Sequence, residues 1–164
     1  LILYKKLIMD SISFKLENSL IEDYRTTNIF INGCDLRNIL VSYEIEQVEK
    51  YLDYNMVGAY EGVSAFIAFH LHQHFLKDTV KEYQQNNNRF TLFEYVHSGI
   101  PGEHSVACHI NIYEDRVEWT DFINCSIFLK QCFQYPDLKF CFKRDQYETA
   151  IQDITVNEIN KIYL

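Results

Sequence analysis

The stretch Ser105-Val-Ala-Cys-His-Ile-Asn-Ile-Tyr-Glu-Asp-Arg-Val-Glu-Trp-Thr-Asp-Phe122 alternates apolar and polar residues on both sides of an acidic pair. A period of two marks a strand with one buried face, so the two runs predict a β-hairpin with Glu114-Asp115 as its tight loop. Val106, Cys108, Ile110 and Ile112 then share one face, and Val117 and Trp119 of the return strand fall on the same side. The single Trp of the chain, at such a position, reads as a core anchor.

Outward from the hairpin, Phe90–Val96 is a further strand, preceded by a polar connector, Lys81–Arg89. On the other side, Asn124–Tyr135 is an irregular aromatic segment, Pro136-Asp137 a turn and Leu138–Phe142 a strand. Asp145 caps a helix through Ile154, with Tyr147, Ala150, Ile151 and Ile154 inward, and Thr155–Leu164 continues as a second short helix. In the N-terminal half, strand Ser11–Glu17 precedes a short strand, Asn28–Ile31, that runs into the turn dipeptide Asn32-Gly33. Asp35 is an N-cap for a helix Leu36–Tyr51, with Leu36, Ile39, Leu40, Tyr43 and Val48 inward and Arg37, Glu44, Glu46, Glu49 and Lys50 outward. Val57–Val63, with Gly58 and Gly62, reads as a loop before the apolar run Ala65–Leu71. No Lys-Ser/Thr or G-x-G-x-x-G follows those glycines, so phosphate binding is not indicated. The whole is a single α+β domain: an antiparallel sheet of about five or six strands with two or three helices packed on one side.

At 164 residues, with 48% hydrophobic residues and only five Gly and two Pro, the chain can bury a sizeable core without a staple. Residues 1–8 are broken by Lys5-Lys6 and form neither a signal peptide nor a membrane span; Met9 is taken as the natural start, with 1–8 not native. Fifteen basic against 23 acidic residues give a net charge of -8, which disfavours nucleic acid and favours cationic partners. The five cysteines, 34, 108, 125, 132 and 141, contain no C-x-x-C pair, so neither zinc ligation nor a disulfide framework is expected. Reduced thiols, with Cys108 and Cys141 as small buried hydrophobes, fit a cytoplasmic protein.

Two histidine groups invite a chemical reading. His70, His72 and His74 would line one face of a strand, but no partner ligand stands at fixed spacing, so a solvated strand face without metal is expected. His97, His104 and His109, with Glu103, bracket Gly99-Ile-Pro101-Gly102 and would suit acid–base work. No activated nucleophile accompanies them, and Cys108 and His109 point to opposite faces of their strand, so no catalytic residue or cofactor is assigned.

Several motifs run through the chain: Ile29-Phe-Ile-Asn-Gly33-Cys-Asp-Leu36, Gly58-Ala-Tyr60, Val117-Glu-Trp-Thr-Asp-Phe122 and Phe140-Cys-Phe-Lys-Arg144-Asp-Gln-Tyr147-Glu-Thr-Ala-Ile151. In these it resembles a widespread, uncharacterised family of small bacterial proteins that carry I-x-I-N-G, W-x-D-F and F-x-F-x-R-x-x-Y-x-x-A-I motifs. It departs from that family at Val96, Ser98 and Glu103, where members place cysteines, so no metal or redox role carries over. The resemblance implies the fold and a bacterial origin, and supplies no activity. From charge, size and the tyrosines beside acidic residues, the expected function is non-enzymatic: an immunity-type inhibitor of a cognate basic, nuclease-like toxin. Asp53, Tyr60, Glu61, Glu114, Asp115 and Asp121 are the expected partner-binding residues, because they fall in or beside predicted loops. Two alternatives are a histidine-based metal-dependent or acid–base enzyme, and a structural homodimer through a sheet edge.

Overall fold

The computed structural model describes residues 8–20, 23–47, 57–85, 87–96, 104–126 and 131–158. The first sheet is built by β1 (Ile12–Asn18), β2 (Arg25–Ile31) and β3 (Cys34–Asp35). β1 and β2 pair antiparallel with Phe14 opposite Ile29. Asn32 and Gly33 both take positive φ, +51° and +78°, which is the two-residue turn whose twist matches a hairpin. Asp35 ends β3 and caps α1 (Leu36–Glu44): its carboxylate accepts the Arg37 backbone N–H at 2.9 Å, as the sequence predicts. α1 is shorter than expected and passes at Ile45 into a 3-10 turn through Gln47; positions 48–51 of the expected helix lie outside the described residues.

Among the described residues the second sheet has seven strands: β4 (Tyr60–Gly62), β5 (Gln84–Gln85), β6 (Arg89–Tyr95), β7 (His104–Ile112), β8 (Arg116–Ser126), β9 (Gln131–Gln134) and β10 (Phe140–Lys143). Their order is β10-β8-β7-β6-β4, with β5 beside β6 and β9 beside β8. The α+β class and the antiparallel pairing of the strands match the expectation, but one sheet of five or six strands is corrected to two sheets of three and seven. The difference comes from segments read as loops. Tyr60–Gly62 pairs with β6, and Gln131–Gln134, inside the supposedly irregular aromatic segment, pairs with β8.

The predicted hairpin is β7–β8. Ile110 faces Trp119 and Ile112 faces Val117, and the Tyr113 N–H donates to the Arg116 carbonyl at 2.8 Å to close the Glu114-Asp115 loop. Strict alternation fails once, between Ala107 and His109, where the register shifts and Asp121 takes φ +54°. The extra residue at this bulge turns Asp121 out and lets Trp119 and Phe122, three apart, both face the core.

Two further α-helices lie among the described residues. α2 (Ala65–Phe69) is one short helical turn in the run before the histidines. α3 (Arg144–Glu158) runs unbroken through Ile154 and Thr155, which corrects the division into two helices at that point; residues 159–164 lie outside the described residues. The sheets share one apolar core in which Phe14 of β1 lies 4.8 Å from Phe75, itself stacked 6.0 Å from Trp119. They touch where the Thr27 N–H donates to the Val63 carbonyl at 2.9 Å, beside Gly62, and where Asp10 bridges Phe142 of β10.

The structure joins Cys125 and Cys132, opposite one another on β8 and β9, in a disulfide. This corrects the expectation of reduced thiols, which rested on the lack of a C-x-x-C pair. A pairing across two strands needs only two cysteines in register, and β9 was not foreseen. The argument from thiols to a reducing cytosol loses its basis. Cys34, Cys108 and Cys141 are free, Cys108 fully buried as expected.

Candidate functional site

The predicted partner-binding residues separate into three groups. Glu114 and Asp115 stand exposed at the β7–β8 tip, as expected. The tip is held from behind: the Asp115 carbonyl accepts the Arg144 N–H at 3.1 Å, and the Arg144 guanidinium donates to the Tyr113 carbonyl at 3.1 Å. The Arg116 guanidinium lies 4.2 Å over the Tyr113 ring and pairs with Asp115 at 3.0 Å and Glu118 at 2.7 Å. Among the described residues Glu114 enters no ion pair, and the half-exposed Tyr113 ring stands beside it.

Asp121, also exposed, sits at the bulge rather than at a loop. Its carboxylate is 3.0 Å from His109 Nδ1, its carbonyl accepts from Arg89 at 2.8 Å, and His109 Nε2 is 2.9 Å from the Asn87 carbonyl. Tyr60 and Glu61 are a correction: they belong to β4 and are buried, at 2% and 8% exposure, so neither offers a surface to a partner. Glu61 accepts from the Ser19 hydroxyl and the Leu20 N–H, each at 3.0 Å, fastening the turn after β1 to the second sheet. Asp53 lies outside the described residues.

The densest polar chemistry is one the sequence reading missed. Glu44 of α1, Tyr60 of β4, His104 of β7, Asn124 of β8 and Tyr135 just after β9 meet in a buried network. Tyr135 donates to Glu44 at 2.5 Å and the Gly58 N–H donates to the same carboxylate at 3.1 Å. The Asn124 amide donates to the hydroxyls of Tyr60 at 2.5 Å and Tyr135 at 3.3 Å, and its oxygen lies 2.6 Å from His104 Nε2. Burial pushes the Glu44 carboxyl up, opposed by the donors from Tyr135 and Gly58, and pushes the Tyr60 and Tyr135 hydroxyls up as well. Glu44, Tyr60, Asn124 and Tyr135 direct these hydrogen bonds at one another and at His104 Nε2, as a structural network does.

Glu44 was expected outward, yet the buried stripe of α1 is Leu36, Leu40, Glu44, four apart at each step. Extending that period by one turn would have found it. Of the acid–base group read around Gly99-Gly102, His104 is engaged in the network, His109 is at the bulge, and His97 and Glu103 lie outside the described residues.

The His70, His72, His74 strand face is also corrected. α2 ends at Phe69, and His74 opens a 3-10 turn (His74–Leu76) and is fully buried. Its Nδ1 is 2.7 Å from the Thr79 hydroxyl and its Nε2 2.6 Å from the Thr91 carbonyl, and burial lowers its pKa to about 4. His72 faces Asp78 at 3.1 Å, and His70 packs 5.0 Å from the Phe66 ring. Among the described residues no three metal-ligating side chains converge, and no helix is long and apolar enough to cross a membrane. Comparison with family models, with curated proteins and with solved structures finds no match.

Proposed function

We propose that this protein is a non-enzymatic binding module of the immunity type, which masks a cognate basic, nuclease-like toxin. The observation that carries the reading is the tip of β7–β8. It presents Tyr113, Glu114 and Asp115 on a loop already held by Arg144 and Arg116, so docking there orders little that is not ordered before. Carboxylates beside an exposed tyrosine suit a cationic face, the net charge of -8 steers such a partner toward the molecule, and the tyrosine adds contact area. The non-enzymatic side of the proposal is supported by the engagement of His74 and His104 in buried hydrogen bonds.

The test is to purify the protein with a basic toxin encoded beside its gene and follow association by stopped flow. We expect inhibition of the toxin, an association rate that falls as salt rises, and a severalfold slower rate in Glu114→Lys/Asp115→Lys with unchanged thermal melting. Binding indifferent both to salt and to the reversals would refute the electrostatic model, and so would the lack of any such toxin.

A further inference from the structure

The groove between β1 and α3 has on one side a strand edge that no described strand pairs with, and carboxylates on the other. In the β1–β2 register the Asn32 N–H donates to the Ser11 carbonyl at 2.9 Å, and Ser19 and Tyr24 are joined in the same way at 2.9 Å. Odd-numbered residues of β1 therefore bond to β2, and the N–H and C=O groups of Ile12, Phe14 and Leu16 point to the opposite edge. Upstream, Asp10 already uses that edge, donating its N–H to the Cys141 carbonyl of β10 at 2.7 Å. Past Asp10 no described strand pairs with it. α3 flanks the gap, leaving a groove of about 370 Å³ whose lining includes Ile12, Phe14, Ala150 and Ile154 together with Asp145 and Asp153. Both carboxylates are exposed and neither enters an ion pair among the described residues.

We propose that this groove receives an extended, lysine- or arginine-bearing segment of a partner protein, added as a further strand on the free edge of β1. A sheet edge supplies main-chain hydrogen bonds without regard to sequence, and the flanking side chains then choose among segments. Asp145 and Asp153 are eight residues apart on α3, about 12 Å along the axis. In a strand, residues four apart face the same way and lie about 13 Å apart. A segment with basic residues at i and i+4 thus meets both carboxylates while the stems of those side chains lie along Ile12, Ala150 and Ile154. The inference rests on the proposed function only in taking the partner to be basic.

The probe is a capped peptide, Thr-Lys-Val-Thr-Val-Lys-Thr, with a control in which both lysines are glutamate, titrated to about 1 mM into the 15N-labelled full chain. We expect saturable amide shifts at Ile12, Phe14, Thr149 and Asp153 with the lysine peptide, none with the control, and about tenfold weaker binding in Asp145→Asn/Asp153→Asn. Asparagine keeps the side-chain oxygen that accepts the Gln146 N–H at 2.8 Å, and circular dichroism confirms the fold. Hydrogen exchange in the peptide-free protein gives a second reading: the Ile12 and Phe14 amides should exchange fast beside those of Ser13 and Lys15. Shifts confined to the hairpin tip, equal binding of both peptides, no binding, or protected Ile12 and Phe14 amides in the free protein each overturn the proposal. If a basic toxin binds and responds to the Glu114 and Asp115 reversals but ignores the Asp145 and Asp153 changes, the function stands and the groove falls. Peptide binding here without any toxin partner gives the reverse.

Discussion

Trp119 is fully buried, stacked on Phe75 at 6.0 Å and meeting Phe142 edge-on at 5.6 Å, with its Nε1–H donating to the Tyr147 hydroxyl at 3.2 Å. Truncation would open a large void and leave Tyr147, which itself donates to the Phe75 carbonyl at 2.7 Å, without one partner. Trp119→Ala should cost about 3–5 kcal/mol in urea unfolding, and unchanged stability would place the indole outside the core. His74 tests the same core by titration. Its ordinary pKa of 6.5 falls to about 4 because burial disfavours the imidazolium, so the unfolded chain takes up a proton that the folded chain refuses. Its contribution is complete above pH 6.5 and is lost as pH falls toward 4, roughly 3 kcal/mol over that window. His74 ring signals that titrate near 6.5 in NMR would contradict this. Trp119 was legible because alternation and residue type agree there. His74 and Glu44 were not, because a polar side chain was read as outward although its position was inward.

At the scale of elements, the β7–β8 hairpin, the Asn32-Gly33 turn and the Asp35 cap were legible, since each is fixed by neighbours in sequence. The short strands β4, β5 and β9 were not, because their pairing is decided by distant chain and their composition carries glycine or glutamine. Gly62 shows the cost of that blindness. It reads as a loop residue, but it lies in β4 where a Cβ would run into the Thr27 carbonyl of β2, so glycine is there for space at the junction of the sheets. Gly33, by contrast, has open space and only a positive φ to satisfy. Gly33→Ala should cost about 1 kcal/mol, whereas Gly62→Ala should cost more than about 2 kcal/mol or prevent folding. Denaturant midpoints of the two variants in the opposite order would show that the sheets can part without penalty.

For the molecule as a whole, the Glu44 network ties α1, β4, β7, β8 and the chain after β9 together, so its protonation is felt across the second sheet. None of it was legible as a unit, because its members are spread from position 44 to 135 and come together only through β9 and β4. Burial raises the Glu44 pKa, so between the ordinary value and the folded one the folded protein retains a proton that the unfolded chain has released. Stability from this site is therefore complete below the ordinary carboxyl value of 4.5 and is lost as pH rises through the folded value. Glu44→Gln cannot lose a proton, and its stability relative to the unchanged protein should rise with pH across that interval. Tyr135→Phe removes the hydroxyl that donates to the carboxylate, so it should push the Glu44 pKa further up and steepen the decline. Urea unfolding at a series of pH values decides the matter: a difference between Glu44→Gln and the unchanged chain that stays constant with pH would mean that Glu44 is not held protonated by burial. A Tyr135→Phe profile parallel to that of the unchanged chain would mean that the hydroxyl does not stabilise the carboxylate.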